Sequence, residues 1–125
     1  MMIASRVQHS VGQGFFHSGR ILGASEAFSY VYDCGSLDMA PLFREIDRHV
    51  DSFGSKHLGA LFISHLHRDH TDGLDRLLSL VTPDTIFLPY ITLSECLFIA
   101  TETSLSGNPS SDYFRFLGHP ARWFA

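Results

Sequence analysis

A mixed α+β fold is predicted by three features of this chain. Up to Asp33 the residues read as short strands parted by glycine turns. From Phe28 onward, strand and helix patterns alternate in a βαβα order, which suits an α+β or layered α/β arrangement. The length of 125 residues, with 45% hydrophobic and 18% charged residues, allows one domain with a real core and is too short for two ordinary ones.

The elements follow from local pattern. Ile3 to His9, Gly14 to Leu22 and Phe28 to Asp33 are the first candidate strands, the last strengthened by the β-favouring run Phe28-Ser29-Tyr30-Val31-Tyr32. Cys34-Gly35-Ser36 is expected to break that strand. Asp38 can then cap a helix with Pro41 in its first turn. Its apolar face is Leu42, Phe43, Ile46, Val50 and Phe53, and its polar face Arg44, Glu45, Asp47, Arg48 and Asp51, with Gly54 as the stop. Leu58 to Ser64 is nearly continuous apolar sequence, as in a strand buried on both faces. Thr71 or Asp72 can cap a second helix bearing Leu74, Leu77, Leu78 and Val81, and Pro83-Asp84 turns into a strand over Thr85 to Leu88. Thr92 and Glu95 have capping-box spacing before a helix from Leu93 to about Leu105, stopped by Gly107-Asn108-Pro109. Tyr113 to Leu117 is a short helical segment. The chain closes on Trp123-Phe124, apolar residues that want a partner surface, and the native polypeptide is expected to continue beyond them.

Composition narrows the function classes. A net charge of −4 gives no support to a broad nucleic-acid surface, although a local patch stays open. Cys34 and Cys96 are too few for a disulfide framework and read as buried free thiols in a reducing compartment. No signal peptide is visible, and no apolar run approaches the ~20 residues that span a membrane. A cytoplasmic setting is the expectation.

Chemistry concentrates in one stretch, Ser64-His65-Leu66-His67-Arg68-Asp69-His70-Thr71-Asp72-Gly73. Three imidazoles and a carboxylate this close together are the ligand types that zinc and similar borderline metals prefer. On a loop leaving a strand, His65 and His67 can share one metal. Asp69 and His70 can then serve a neighbouring position on the order of 4 Å away. The helix that follows adds positive potential from its N-terminal amides. The plain alternative is a histidine-rich surface loop, to which four ligand-type side chains in six positions at a strand end are poorly suited.

His65-Leu66-His67-Arg68-Asp69-His70, trailed by Gly73, resembles the His-x-His-x-Asp-His signature of the metallo-β-lactamase fold superfamily. Tyr32-Asp33-Cys34-Gly35 is similar to that family's strand ending in aspartate and glycine, and Val11-Gly12-Gln13-Gly14 looks like the glycine-rich opening hairpin of the competence-type DNA-uptake subgroup. The resemblance spans about residues 7 to 90 and covers the N-terminal half of a four-layer αββα sandwich. It implies that His65 and His67 bind a first metal, that Asp69 and His70 bind a second, with Asp69 also counted as catalytic, and that Asp33 orients the loop from outside the ligand set. The cofactor would be zinc, two ions in the complete protein, with iron or manganese as alternatives. Metal-activated water would attack a phosphodiester, an ester or a thioester.

The family completes its site with downstream ligands. After His70 the single histidine is His119, in Gly118-His119-Pro120 at a break between short helices. It is available as an extra ligand, against the default of a surface or satisfied histidine. Asp84 and Asp112 are expected to be a turn residue and a helix cap. His49 and His57 are expected at the surface, His9 shows no ligand spacing, and His17 could approach the site mouth. Phe15, Phe16, Tyr113, Phe114, Phe116, Trp123 and Phe124 are expected in the core rather than as a substrate platform. The remaining half of the fold would come from a C-terminal continuation or a partner chain. The alternative function is a catalytically incomplete metal-binding or protein-interaction module whose terminal aromatic segment docks a partner.

Overall fold

In a computed structural model of the chain, which describes residues 1–107 and 109–125, one five-stranded sheet forms in the order the strands are made. Strands β1 (Ile3–Gln8), β2 (Gly14–Leu22) and β3 (Ala27–Ser36) are antiparallel, joined by tight turns. Strands β4 (His57–Phe62) and β5 (Thr82–Phe87) then add parallel to β3. Parallel pairing needs crossovers, supplied by α1 (Met39–Phe53) and by α2 (Arg68–Thr71) with α3 (Leu74–Leu80). Both crossovers step the same way across the sheet, so their right-handedness places these helices on one face. Helices α4 (Leu93–Ser106), α5 (Ser111–Gly118) and α6 (Pro120–Phe124) complete the chain. The architecture is α+β with a mixed sheet. Among the described residues, no helix is long and apolar enough to cross a membrane.

The core lies between sheet and helices, where Val31 and Leu61 meet Leu42 and Ile46 of α1, Leu74 and Leu77 of α3, and Phe116 and Leu117 of α5. The opposite sheet face carries a run of rings in contact. Phe15 meets Tyr32 at 6.1 Å, Tyr32 stacks on Phe62 at 6.1 Å, and Phe62 stacks on Phe87 at 4.7 Å. Part of this run is open, with Tyr32 40% and Phe87 50% exposed.

Several boundaries depart from the sequence reading. Cys34-Gly35-Ser36 does not break β3, because these residues pair with Phe16, Phe15 and Gly14 of β2. Pro83 and Asp84 lie inside β5, where a proline is tolerated because β5 is an edge strand. Asp84 is thus no turn residue and stands 3.7 Å from the exposed His57. Neither Thr71 nor Asp72 caps α3: Thr71 is helical within α2, its hydroxyl donating to the His67 carbonyl, and Gly73 takes the cap position. Asp38 is the N-cap residue of α1 without a side-chain bond, and Ser36 Oγ accepts its amide instead. Gly54 ends α1 in the left-handed conformation as expected, and the Thr92–Glu95 capping box is formed. The stop proposed at Gly107-Asn108-Pro109 is met at Gly107, while Asn108 lies outside the described residues. Ser110, not Asp112, caps α5; Asp112 accepts a hydrogen bond from Trp123 Nε1 at 3.2 Å. Both cysteines are free, with Cys34 fully buried and Cys96 half-buried.

The polar face assigned to α1 is also only partly correct. Glu45 and His49 are buried, because both turn toward His9, itself buried beside them. Phe43 is exposed in exchange. His49 packs between Phe16 and Phe53, and burial, reinforced by the charge of His9 nearby, pushes its imidazole down to about 4. The charged and titratable groups around it are His9 in contact, Glu45 bound to His9, Arg48 bound to Glu45, and Arg20 lining the same pocket. Because the folded state resists the proton that the unfolded chain accepts near 6.5, His49 costs nothing above that pH and destabilises as pH falls from there toward about 4. His49→Phe removes this penalty. Its melting temperature is expected to gain on the wild type by on the order of 5–10 °C between pH 7 and pH 4.5. Parallel melting curves across that range would sink the assignment.

Candidate metal centre

The motif begins where β4 ends. Ile63 still donates to Phe87 at 2.9 Å, and the chain then leaves the sheet through Ser64 to Leu66 and coils into α2 over the motif itself. Two glycines, Gly35 on β3 and Gly14 on β2, let this helix approach the sheet closely. A Cβ on Gly35 would lie 2.4 Å from Thr71 N and 2.6 Å from His70 N, and one on Gly14 would lie 2.8 Å from the Asp69 carbonyl oxygen. Gly73 N donates to the Cys34 carbonyl at 2.8 Å, and Tyr113 Oη donates to the Leu66 carbonyl at 2.9 Å. The motif is therefore clamped from β3 and from α5.

Asp33 organises what this clamp holds. Its φ of 56° places it in the left-handed region, where an aspartate is tolerated and bulkier residues are strained. Ser64 N donates to Oδ1 at 2.7 Å, Ser64 Oγ donates to Oδ2, and His70 Nδ1 lies 2.7 Å from Oδ2. With both oxygens occupied and the residue 1% exposed, Asp33 holds His70 by Nδ1 and leaves Nε2 on the Asp69 side. Ser64 Oγ also contacts His65 Nδ1 at 2.9 Å, so one hydroxyl links the carboxylate to both imidazoles.

Ligand atoms of Asp33, His65 and His70 lie within 4.8 Å of one another. The His65 and His70 rings are 3.7 Å apart, and His65 and His67 are 5.2 Å apart. Burial first, then the neighbouring His70 and His67, hold the His65 imidazole below the usual histidine range. The neutral form is the one that ligates. Asp69 Oδ2 faces His70 Nε2 at 3.6 Å. His67 stands to one side, its Nε2 on Glu102 of α4 at 3.1 Å and its Nδ1 buried with no partner among the described residues. Among the described residues the ligand atoms that converge are those of Asp33, His65 and His70, a set of donor types that suits a divalent cation, with His67 outside it. The donor set fits such an ion.

The structure thus brings together Asp33, His65 and His70, sets Asp69 against His70, and turns His67 toward Glu102. His119 stands apart. It lies at the junction of α5 and α6 with Arg115, Arg122 and Trp123 around it, and its ligand atoms are not in the cluster. His17 does not join either: it contacts Tyr30 Oη at 3.2 Å, and Phe15 lies between it and His70, stacked on the His70 ring at 6.0 Å. Phe15 is accordingly a wall of the site rather than core. Phe16, Tyr113 and Phe116 are core, while Phe114 is exposed. Trp123 and Phe124 pack on Phe116 at 5.2 Å and 6.0 Å, so the terminal aromatics already have a surface within the chain.

Ser64 and Glu102 belong to the site and were missed. Ser64 adjoins the motif and could have been weighed as a hydrogen-bonding neighbour. Glu102 gives no sequence signal, since 35 residues separate it from His67. Comparison with protein-family models, with curated proteins and with solved structures found no match to this chain.

Proposed function

We propose that this chain is the N-terminal half of a metal-dependent hydrolase of the metallo-β-lactamase fold, its donors being His65, His67, Asp69 and His70. The observation that supports the reading is the convergence of His65 and His70 with Asp33, ligand atoms within 4.8 Å, at the end of a sheet strand; His67 and Asp69 join the donor set from the motif resemblance. Zinc is the ion favoured by the donor types, two ions in the complete protein, with iron or manganese as alternatives. When bound, such an ion supplies Lewis acidity and a water made acidic near pH 7. The chain's own residues do the positioning. Asp33 fixes the His70 tautomer, Ser64 ties His65 to Asp33, and Asp69 projects beside His70. The substrate class is a phosphodiester, an ester or a thioester; the charge of −4 gives nucleic acid no added support. The open aromatic sheet face is consistent with a second layer packing there, from a C-terminal half or a partner chain. Two free thiols suit a cytoplasmic setting.

Titration of metal-stripped protein with zinc, and with cobalt followed by its visible absorption, tests the reading. One ion per chain is expected, and none in His65→Ala or His70→Ala. Hydrolysis of bis(p-nitrophenyl) phosphate by the 125-residue chain is expected to be slow. A wild-type protein that binds no metal would overturn the proposal. The second reading, a metal-binding interaction module without turnover, is favoured by the exposed rings of Tyr32 and Phe87. It wins if metal binds and no substrate class is cleaved even with the sheet face covered.

A further inference from the structure

Between β2 and α1, three side chains form a relay that the metal centre does not use. His9, just after β1, places Nε2 2.8 Å from Ser18 Oγ on β2 and Nδ1 3.1 Å from Glu45 Oε2 on α1. All three are buried. Phe16 stacks flat on the imidazole at 3.9 Å with an interplanar angle of 14°, and Arg48 pairs with the other Glu45 oxygen at 3.3 Å. The ring plane and the carboxylate are therefore both fixed. With Nδ1 protonated toward Glu45, Nε2 is left to accept the Ser18 hydroxyl proton.

An inert buried network satisfies its own donors and has no opening. Here His9 and Ser18 line an open pocket of about 200 Å³ with Arg20, His49, Ser52 and Phe53. Arg20 sits two residues beyond Ser18 on β2, so it shares Ser18's face of the strand. Its guanidinium lies 4.9 Å from the centre of the Phe53 ring, while its Nε is buried with no acceptor among the described residues. A nucleophile, a base and an unused donor thus line one small space, and the carboxylate orients the base from behind it.

We propose that Ser18, His9 and Glu45 form a second, metal-independent catalytic site that hydrolyses small esters through an acyl-serine. Ser18 Oγ adds to the ester carbonyl carbon as its proton passes to His9 Nε2, and the carbonyl oxygen takes up the negative charge toward the Arg20 Nε–H. Collapse breaks the bond to the alcohol oxygen, and the alcohol leaves with the His9 proton. Water then gives a proton to His9 and adds to the acyl carbon, releasing the acid and restoring Ser18. Burial, only partly offset by Glu45, lowers the His9 imidazole, so the base is neutral at physiological pH.

The test uses the wild-type chain in excess chelator, which separates this site from the metal cluster. A fluorophosphonate probe is expected to modify one residue per chain, located at Ser18 by peptide mass spectrometry, and p-nitrophenyl acetate to give a burst of one equivalent. Ser18→Ala removes both. His9→Gln is expected to slow labelling on the order of 10³-fold or more. If that variant does not fold by circular dichroism, Glu45→Gln takes its place with a smaller loss. No adduct on the folded wild type, an adduct elsewhere, or unchanged labelling in a folded relay variant would each overturn the proposal.

Discussion

Replacing Asp33 by alanine is expected to cost about 4 kcal/mol of stability and to abolish metal binding, because the residue is a buried hub. Alanine leaves Ser64 N and His70 Nδ1 without their acceptor and forces a left-handed backbone on a residue that resists it. Asp33→Asn separates the two effects. Asparagine tolerates the same φ and its amide oxygen can still accept from Ser64 N, so the fold is expected to lose only about 1–2 kcal/mol. The amide group facing His70, however, can donate where the carboxylate accepted. His70 Nδ1 then becomes the acceptor, the ring proton moves to Nε2, and the nitrogen meant for the metal is blocked. Metal affinity is expected to fall 10–100-fold by calorimetry, as for other lost partners of ligating histidines. Wild-type affinity in a folded Asp33→Asn protein would show that Asp33 does not orient the site.

What was legible in the chain was what local pattern encodes. The alternation of apolar runs and helical stripes gave the β2 bounds Gly14–Leu22, the capping box at Thr92 and the left-handed stop at Gly54, since each depends on residues within a turn or two. The ligand cluster was legible for the same reason: His65 to His70 are contiguous, and a strand end brings neighbours together. Contacts across the fold were not. Glu45 and His49 looked solvated on the wheel of α1, yet their partner His9 lies 36 residues before Glu45. Cys34 to Ser36 looked like a breaker because glycine and serine are weak strand formers, but pairing with β2 outweighs that preference. Pro83 looked like a turn because an edge position cannot be seen before the sheet is built. The pairing of His67 with Glu102 needed α4 to be laid against the motif, a packing decision with no local signature.

Gly35→Ala provides the sharpest separation of this packing argument from ordinary glycine effects. The added methyl would lie 2.4 Å from Thr71 N, 2.5 Å from His70 C and 2.6 Å from His70 N. Those atoms are backbone, so no side-chain rotation relieves the clash, and α2 must move off β3. That movement breaks the Gly73-to-Cys34 bond and pulls His70 from Asp33, so stability and metal affinity are expected to fall together, the former by about 3 kcal/mol. Two controls bracket the result. At Gly118, the last residue of α5, an added Cβ meets nothing within 4 Å, and alanine there is expected to be neutral or slightly stabilising. At Gly54 the space is also open but φ is +64°, so alanine is expected to cost about 1 kcal/mol from backbone strain alone and leave metal binding intact. Thermal melts and metal titrations of the three variants therefore resolve close approach, strain and entropy as separate contributions. If Gly35→Ala melts with Gly118→Ala and keeps its metal, α2 is not seated against β3, and the centre cannot be assembled as described.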